Sequence, residues 1–298
     1  MAHITTVEEG NYFRKKKIQK GIVYVVLMLI AIYTLAPLYF LIVNSYKGNV
    51  DIIGSPLALP TSWSFQYIVN AAKEIHFLSS LFITAFITAV SVSLIIIVSS
   101  LAAWIMVRNK TKASNIVYLC FTAAMLIPFQ SVMYPLIQIF GDVGLKNIPG
   151  LIIMYGGFGL SMSAFLYHGF AKGVPRGIEE AALIDGCSIM QIYSNVVMPL
   201  LSSITVTVII LNAMWIWNDY LLPFLVIGNS TIAEGSILTT HKTLTLELYF
   251  ARILAGQYGN PWELIFPAVF ITILPMVIIF LALQKYIVKG ISAGAIKS

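Results

Sequence analysis

Polar and aromatic side chains cluster inside one apolar stretch of this 298-residue sequence, between positions 212 and 220. A charged residue near the centre of a membrane helix costs about 2.5–3.5 kcal/mol to insert, so it normally faces a protein interior or water. Amides, a carboxylate and aromatic rings together could bind a polar, hydroxyl-rich solute, with the rings against its apolar faces. The candidate residues for a solute pathway are Trp215, Asn218, Asp219 and Tyr220. A structural alternative stays open: Asn218 and Asp219 could bond to neighbouring helices or to backbone that Pro223 leaves unpaired.

A second polar region, residues 177–199, separates two long apolar runs and holds three of the twelve acidic residues. The alanine pair within it favours a helix and leaves a bare surface that a partner could approach closely. Gly186 predicts a helix end, a second short amphipathic piece follows at 189–197, and Pro199 stands where a new helix could begin. The region therefore predicts two short helices joined at a glycine, which together form a docking element. Its candidate residues are Glu179, Glu180, Ala181, Ala182, Asp185, Gly186 and Pro199.

Motifs for catalysis or metal binding are missing from the sequence. The segment at 141–146, GDVGLK, lacks the Gly-Lys-Ser/Thr ending of a phosphate-binding loop, and no His pair has ligand spacing. Neither Cys120 nor Cys187 has a neighbour at metal or redox spacing, which favours packing roles for both. We therefore expect no enzyme activity, no bound metal and no cofactor, and transport becomes the default function.

Composition indicates an integral membrane protein. The sequence is 59% hydrophobic and 10% charged, whereas a soluble domain has about 25% charged residues. Its mean hydropathy is +0.89. Runs of about 20 apolar residues suffice to cross a bilayer, and six are present. The predicted spans are approximately 22–43, 77–107, 115–138, 151–170, 201–227 and 263–288.

The basic residues predict which way the chain is oriented. With six spans, the N-terminal segment 1–21, the loop after the second span, the docking loop 172–200 and the tail 289–298 share one side. That side holds 13 of the 18 Lys and Arg residues, so it is expected to face the cytoplasm. The net charge of +6 thus needs no nucleic-acid partner to explain it.

The docking loop resembles the signature loop of ABC importer permeases: Glu-Ala-Ala, three residues, Gly, nine residues, Ile, one residue, Leu-Pro. Glu180, Ala181, Ala182, Gly186 and Pro199 match at that spacing. Valine and methionine at 196 and 198 replace the Ile and Leu. Two further segments resemble carbohydrate permeases of this family, particularly the smaller, maltose-type subunit. They are Trp-Asn-Asp-Tyr-Leu-Leu-Pro at 217–223 and Gln-Lys-Tyr-Ile-Val-Lys-Gly-Ile-Ser-Ala-Gly-Ala at 284–295.

The resemblance implies an all-α membrane protein with six transmembrane helices of the type I importer fold and coupling helices between the fourth and fifth. It implies a second, homologous permease that completes the pore, two ATPase subunits that bind ATP and Mg, and an extracytoplasmic sugar-binding protein. The tail would lie along the ATPases, where Gly290 and Gly294 suit an extended segment. The outer loop at 228–262, especially 252–258, would touch the binding protein.

Other functions remain as alternatives. The chain could be the permease of an ABC importer for a non-sugar solute. A self-sufficient secondary transporter would need inverted repeats or a coupling-ion site, and neither is visible. The expected location is a bacterial cell membrane, with several spans and both termini in the cytoplasm.

Overall fold

The described part of the chain is built from helices. A computed structural model describes residues 2–228, 242–245, 247 and 260–295, and no β-strand occurs among them. The helices are α1 (Ala2–Asn44), α2 (Asn49–Gly54), α3 (Gln66–Glu74), α4 (Phe77–Arg108), α5 (Lys112–Ala124), α6 (Phe129–Asp142), α7 (Ile148–Ala171), α8 (Arg176–Ile184), α9 (Ile189–Ile192), α10 (Met198–Leu200), α11 (Ser202–Asn218), α12 (Leu221–Ile227) and α13 (Trp262–Ala295).

Length and hydropathy identify the helices that can cross a membrane. Four stretches suffice alone: Gln19–Asn44 within α1, the whole of α4, the whole of α7, and Trp262–Ala282 within α13. Two bent pairs qualify together, namely α5 with α6 and the stretch Ile189–Leu200 with α11. The described residues thus contain four spans, or up to six if each bent pair is one span. The predicted all-α membrane fold is confirmed.

The chain divides into two units, of which the smaller comprises residues up to 71 and the start of α13 through Phe270. Within it, the backbone N–H of Asn49 donates to Glu263 Oε2 over 3.0 Å, and Asn49 Oδ1 accepts from the Trp262 N–H over 3.2 Å. The rings of Phe40 and Phe266 meet edge to face at 5.3 Å. These contacts join the first turn of α13 to α1 and α2.

The larger unit is organised around close packing of α7 against α4 and α11. A Cβ atom placed on Gly156 would lie 2.7 Å from Leu94 Cδ2, and one on Gly159 would lie 2.6 Å from Asn212 Oδ1. Asn212 donates to Ser163 Oγ over 3.0 Å and to the Val208 carbonyl over 2.9 Å. The small residues of α7 therefore permit the close approach of these three helices.

The third predicted span is not a continuous helix. It consists of α5 and α6, whose axes differ by 105°. Pro128 stands at the break with φ −67° and ψ 140°, outside the helical region. Proline has no N–H to donate and disfavours the helical conformation of the residue before it, which explains the bend.

The fifth predicted span, 201–227, is also interrupted. Asp219 adopts an extended conformation (φ −75°, ψ 128°) between α11 and α12. Pro223 cannot donate to the carbonyl four residues earlier, which belongs to Asp219. That carbonyl instead accepts a hydrogen bond from Thr245 Oγ1 over 2.7 Å. The break is thus stabilised by a contact that is remote in sequence.

Two further predictions concern the later part of the chain. The tail was expected to be extended from residue 289, but α13 continues through Ala295. No proline interrupts 289–295, and a helix tolerates Gly290 and Gly294 at about 1 kcal/mol each. Most of the outer loop at 228–262, including 252–258, lies outside the described residues.

Candidate functional site: a docking segment and a polar pocket

The docking segment, defined here as residues 176–200, begins with α8 and turns sharply at Gly186. Gly186 has φ +84°, a left-handed conformation that glycine adopts without steric cost. The Gly186 N–H donates to the Leu183 carbonyl over 3.1 Å, and the Cys187 N–H donates to the Ala182 carbonyl over 3.0 Å. This pair of bonds is a Schellman motif, which ends α8 as the sequence predicts.

The segment continues through α9 and a single π-helical turn. Ser188 and Gln191 form a capping box at the start of α9, with bonds of 3.4 and 2.7 Å. The π turn covers Tyr193–Val197, and such turns occur frequently at functional sites. Pro199 was expected to begin a new helix; it lies within α10, and α11 starts at Ser202 after a 79° change of direction.

Glu179 fixes α8 to the end of α4. Its carboxylate is buried and accepts from Arg108 Nε over 2.9 and 3.0 Å, from Arg108 Nη2 over 2.5 Å and from Trp104 Nε1 over 3.1 Å. Arg108 Nη2 also donates to the Val174 carbonyl over 2.9 Å. Bidentate, charge-assisted hydrogen bonds of this kind are strong and directional. The contact makes Glu179 a positioning residue, whereas the sequence did not separate its role from that of Glu180.

A second contact fixes the π turn to the same helix. The hydroxyl groups of Tyr193 and Ser100 lie 2.7 Å apart, and the Tyr193 and Trp104 ring centroids are 5.7 Å apart. Ser100, Trp104 and Arg108 recur at every fourth residue and therefore share one face of α4. None of them was a candidate from the sequence, although the four-residue spacing next to the span end was a usable signal.

The opposite face of the docking segment is open. Glu180, Ala181, Asp185 and Gly186 are exposed, and Ala182 is half-buried. Within the described residues, the Glu180 carboxylate pairs with Arg176 alone, over 3.0 Å, in an exposed ion pair that contributes little stability. The docking segment also exposes large apolar side chains: Ile178, Leu183, Ile184, Ile189 and Met190. Exposed apolar side chains next to charged ones are typical of a protein-binding surface.

All four candidate pathway residues line one pocket of about 420 Å³ at the break between α11 and α12. Trp215 and Tyr220 are exposed by 41% and 46%, and Asn218 is exposed while its Nδ2 donates to the Met214 carbonyl over 2.8 Å. Phe129 and Gln130 complete the polar and aromatic part of the wall. Neither Phe129 nor Gln130 was among the candidate residues, because their proximity to the pocket depends on the α5–α6 bend.

Asp219 is held by bonds within the fold. Its Oδ1 accepts from the Leu221 N–H over 3.0 Å, and its Oδ2 accepts from the Tyr155 hydroxyl over 3.0 Å. The Tyr155 ring also meets Trp215 edge to face at 5.4 Å. Asp219 therefore positions the pocket wall, in agreement with the structural alternative from the sequence, while Trp215, Asn218 and Tyr220 are exposed. Among the described residues, no group of three or more His, Cys, Asp or Glu side chains could hold a metal ion.

A helical membrane protein that presents a rigidly fixed docking segment and lines a polar pocket within its spans belongs to the class of transporter permease subunits. The chain is a member of the family described as "Binding-protein-dependent transport system inner membrane component", whose sequence profile matches residues 95–293. It is therefore a membrane component of a transport system, and the family implies a binding protein and ATPase subunits as partners.

Individual relatives resemble the chain over nearly its whole length. It is 40% identical to the "Probable starch degradation products transport system permease protein AmyC" of Thermoanaerobacterium thermosulfurigenes, over 95% of this chain and 99% of the relative. It is 32% identical to the multiple sugar-binding transport system permease protein MsmG of Streptococcus mutans, over 97% and 99%. It is 34% identical to the melibiose/raffinose/stachyose import permease protein MelC of Bacillus subtilis, over 88% and 91%. These relatives are transport permeases and not enzymes.

The fold is shared with a solved structure. A chain from the crystal structure of a bacterial ABC transporter involved in alginate import superposes with a TM-score of 0.75 at 20% identity, over 92% of this chain and 98% of the other. The predicted ABC importer permease fold is thereby confirmed.

Proposed function

We propose that this chain is the membrane-spanning permease subunit of an ATP-driven ABC importer for a sugar or an oligosaccharide. The observation that carries the proposal is the docking segment, which has the Glu-Ala-Ala spacing, an exposed acidic and apolar face, and a buried attachment to a membrane-spanning helix. The assignment of a sugar as the substrate is supported by the three relatives, all of which are named for carbohydrate transport.

The assembly has four membrane-associated subunits and one carrier. This chain and a second, homologous permease form the pore, two ATPases bind ATP and Mg on the cytoplasmic side, and an extracytoplasmic protein delivers the sugar. The distribution of Lys and Arg supports a cytoplasmic docking segment and cytoplasmic termini. In this arrangement the chain itself needs no cofactor and hydrolyses no ATP.

The ATPases act on this chain through the open face of the docking segment. Ile184 and Leu183 seat in a cleft of one ATPase, while Glu180 meets a basic partner group in place of Arg176. When the ATPases close, the segment moves as one body, because Glu179 and Tyr193 attach it to α4. Helix α4 packs against α7 and α11, so the movement reaches the pocket at the end of α11 and changes the side to which the pore opens.

The pocket at the α11–α12 break is the solute pathway. The Trp215 and Tyr220 rings cover apolar faces of a sugar, and the Asn218 and Gln130 amides bond to its hydroxyl groups. Asp219 keeps the wall in place through Tyr155. The relative at 40% identity is named for starch degradation products, which makes maltooligosaccharides the first substrates to test.

Reconstitution of the full transporter tests this function. Proteoliposomes with both permeases, the ATPases and the binding protein should take up radiolabelled maltotriose only when ATP is present. The double variant Glu180→Lys with Ile184→Asp should stop uptake and stop co-purification of the ATPases, while the permease still reaches the membrane. Uptake that continues unchanged without ATPase subunits would overturn the proposal.

A further inference from the structure

Basic residues surround a cavity of about 830 Å³ in the larger unit, at the ends of α4 and α7 where the docking segment begins. The cationic lining residues are Arg108, Lys110, Lys172 and Arg176, and none of the described residues that line this cavity is an Asp or a Glu. Cavities of about 300–1,000 Å³ are the size of ligand sites. An excess of positive charge without lining acids favours an anionic ligand.

Two of these cations already have partners. Arg108 pairs with Glu179 and Arg176 pairs with Glu180. Within the described residues no ion pair involves Lys110 or Lys172, and both side chains are exposed. The uncompensated charge of the cavity therefore comes from these two lysines.

The cavity adjoins a second one of about 910 Å³ with a different character. The two share Tyr118, His168, Lys172, Val174 and Pro175. The second is otherwise lined mainly by apolar side chains such as Phe165 and Phe170. The Tyr118 and His168 rings stack at 3.8 Å to form the wall between a basic compartment and an apolar one. A ligand that fills both must have an anionic end and an apolar body.

One polar atom in this wall lacks a partner. His168 Nδ1 is buried and has no hydrogen-bond partner among the described residues. Buried polar atoms are normally satisfied, and an unpaired one calls for a water molecule or a ligand nearby.

We propose that this paired cavity binds an anionic phospholipid. Lys110 and Lys172 bind the phosphate headgroup, and the acyl chains lie in the apolar compartment against Phe165 and Phe170. Basic pockets between membrane helices bind anionic headgroups elsewhere. Bound there, the lipid contacts the end of α7, which leads into the docking segment, and the end of α4, to which Glu179 attaches that segment. The lipid site needs neither the proposed solute nor the proposed coupling movement.

A lipid-retention measurement tests the site. The full-length protein in its membrane assembly is stripped by detergent washing and incubated with mixed micelles of equimolar phosphatidylglycerol and phosphatidylcholine. Retained lipid is then measured by mass spectrometry of the extract. The native protein should retain phosphatidylglycerol preferentially, and Lys110→Gln with Lys172→Gln should lower that preference on the order of tenfold at low salt.

Lys112→Gln is the matched control, since Lys112 is exposed on the same side but does not line the cavity. It should leave the preference for phosphatidylglycerol unchanged. An equal loss of preference in this variant would mean that positive charge near the membrane surface attracts the lipid generally and that the cavity is not a binding site. If the double variant is not recovered from membranes, Lys172→Gln alone should lower the preference several-fold. Unchanged retention in the lysine variants overturns the proposal, as does displacement of the lipid by excess inorganic phosphate, which would indicate a site for soluble anions.

Discussion

The guanidinium group of Arg108 and the carboxylate of Glu179, 71 residues apart in the chain, form three hydrogen bonds that join the last residue of α4 to the first turns of α8. Trp104 supplies a fourth bond to the same carboxylate. The side chains of Arg108 and Glu179 are only 18% and 10% exposed. A force applied to α8 is therefore transmitted to a membrane-spanning helix through a buried ion pair.

Replacing Glu179 with alanine should loosen the docking segment. Loss of one partner leaves the Arg108 charge largely buried and unpaired, which typically costs about 3–5 kcal/mol. Hydrogen exchange of the backbone amides at 176–200 should accelerate, and ATP hydrolysis should no longer drive uptake. Glu180→Ala is the neighbouring control, because Glu180 is exposed and its loss should leave those amides protected. Equal protection in Glu179→Ala and the native protein would contradict the anchoring role.

Gly186 should tolerate no side chain without cost. Its φ of +84° is strained for any residue with a Cβ atom, and alanine there should destabilise the turn by about 1–2 kcal/mol. Gly177 in the same segment offers a matched control, since a Cβ atom there meets open space and its φ is not positive. Gly177→Ala should leave ATPase association unchanged or improve it, whereas Gly186→Ala should weaken it several-fold in pull-down titrations. A comparable effect of both substitutions would show that ATPase association does not depend on the left-handed turn at Gly186.

The close packing inside the larger unit can be tested with a second pair of glycine substitutions. A Cβ atom on Gly159 would approach Ile95 Cδ1 and lie 2.6 Å from Asn212 Oδ1, whereas one on Gly157 meets nothing within 4 Å. Overpacking costs about 1–3 kcal/mol, so Gly159→Ala should lower the thermal unfolding temperature of the purified protein. Gly157→Ala should leave it unchanged. Equal unfolding temperatures for the two variants would mean that the close packing of α4, α7 and α11 at Gly159 does not contribute to the stability of the protein.

The sequence predicted local features of the site better than its remote contacts. The helix end at Gly186 follows from one residue whose left-handed conformation glycine adopts without steric cost, so it could be predicted without knowledge of the tertiary packing. Glu179 could not be assigned a partner, because Arg108 lies in another helix and their proximity depends on how α4 and α8 pack. The same limit applies to Asp219, whose carbonyl partner Thr245 comes from beyond the next helix.

The positions of helix breaks were the least predictable part of the fold. Pro37 and Pro135 lie inside continuous helices, whereas Pro128 coincides with a 105° bend. Membrane helices tolerate proline when neighbours satisfy the freed carbonyl, so residue type alone does not decide whether a span breaks. Phe129 and Gln130 reach the candidate pocket because the chain bends at this proline, immediately before α6 begins.

The last prediction concerns the candidate solute pathway at the α11–α12 break. Trp215 is 41% exposed and lines the pocket. Trp215→Ala should therefore remove one aromatic contact with the bound sugar without opening a cavity in the core. One aromatic contact is worth about 1 kcal/mol, which corresponds to a rise of about fivefold in the KM for maltotriose uptake. Tyr134→Ala is the control, because Tyr134 is an aromatic residue exposed by 72% that does not line this pocket. Asp219→Ala should instead lower protein stability, since it removes the bonds to Tyr155 and to the Leu221 N–H. If the Trp215 and Tyr134 variants changed KM equally, or if neither did, the pocket would not be the solute pathway.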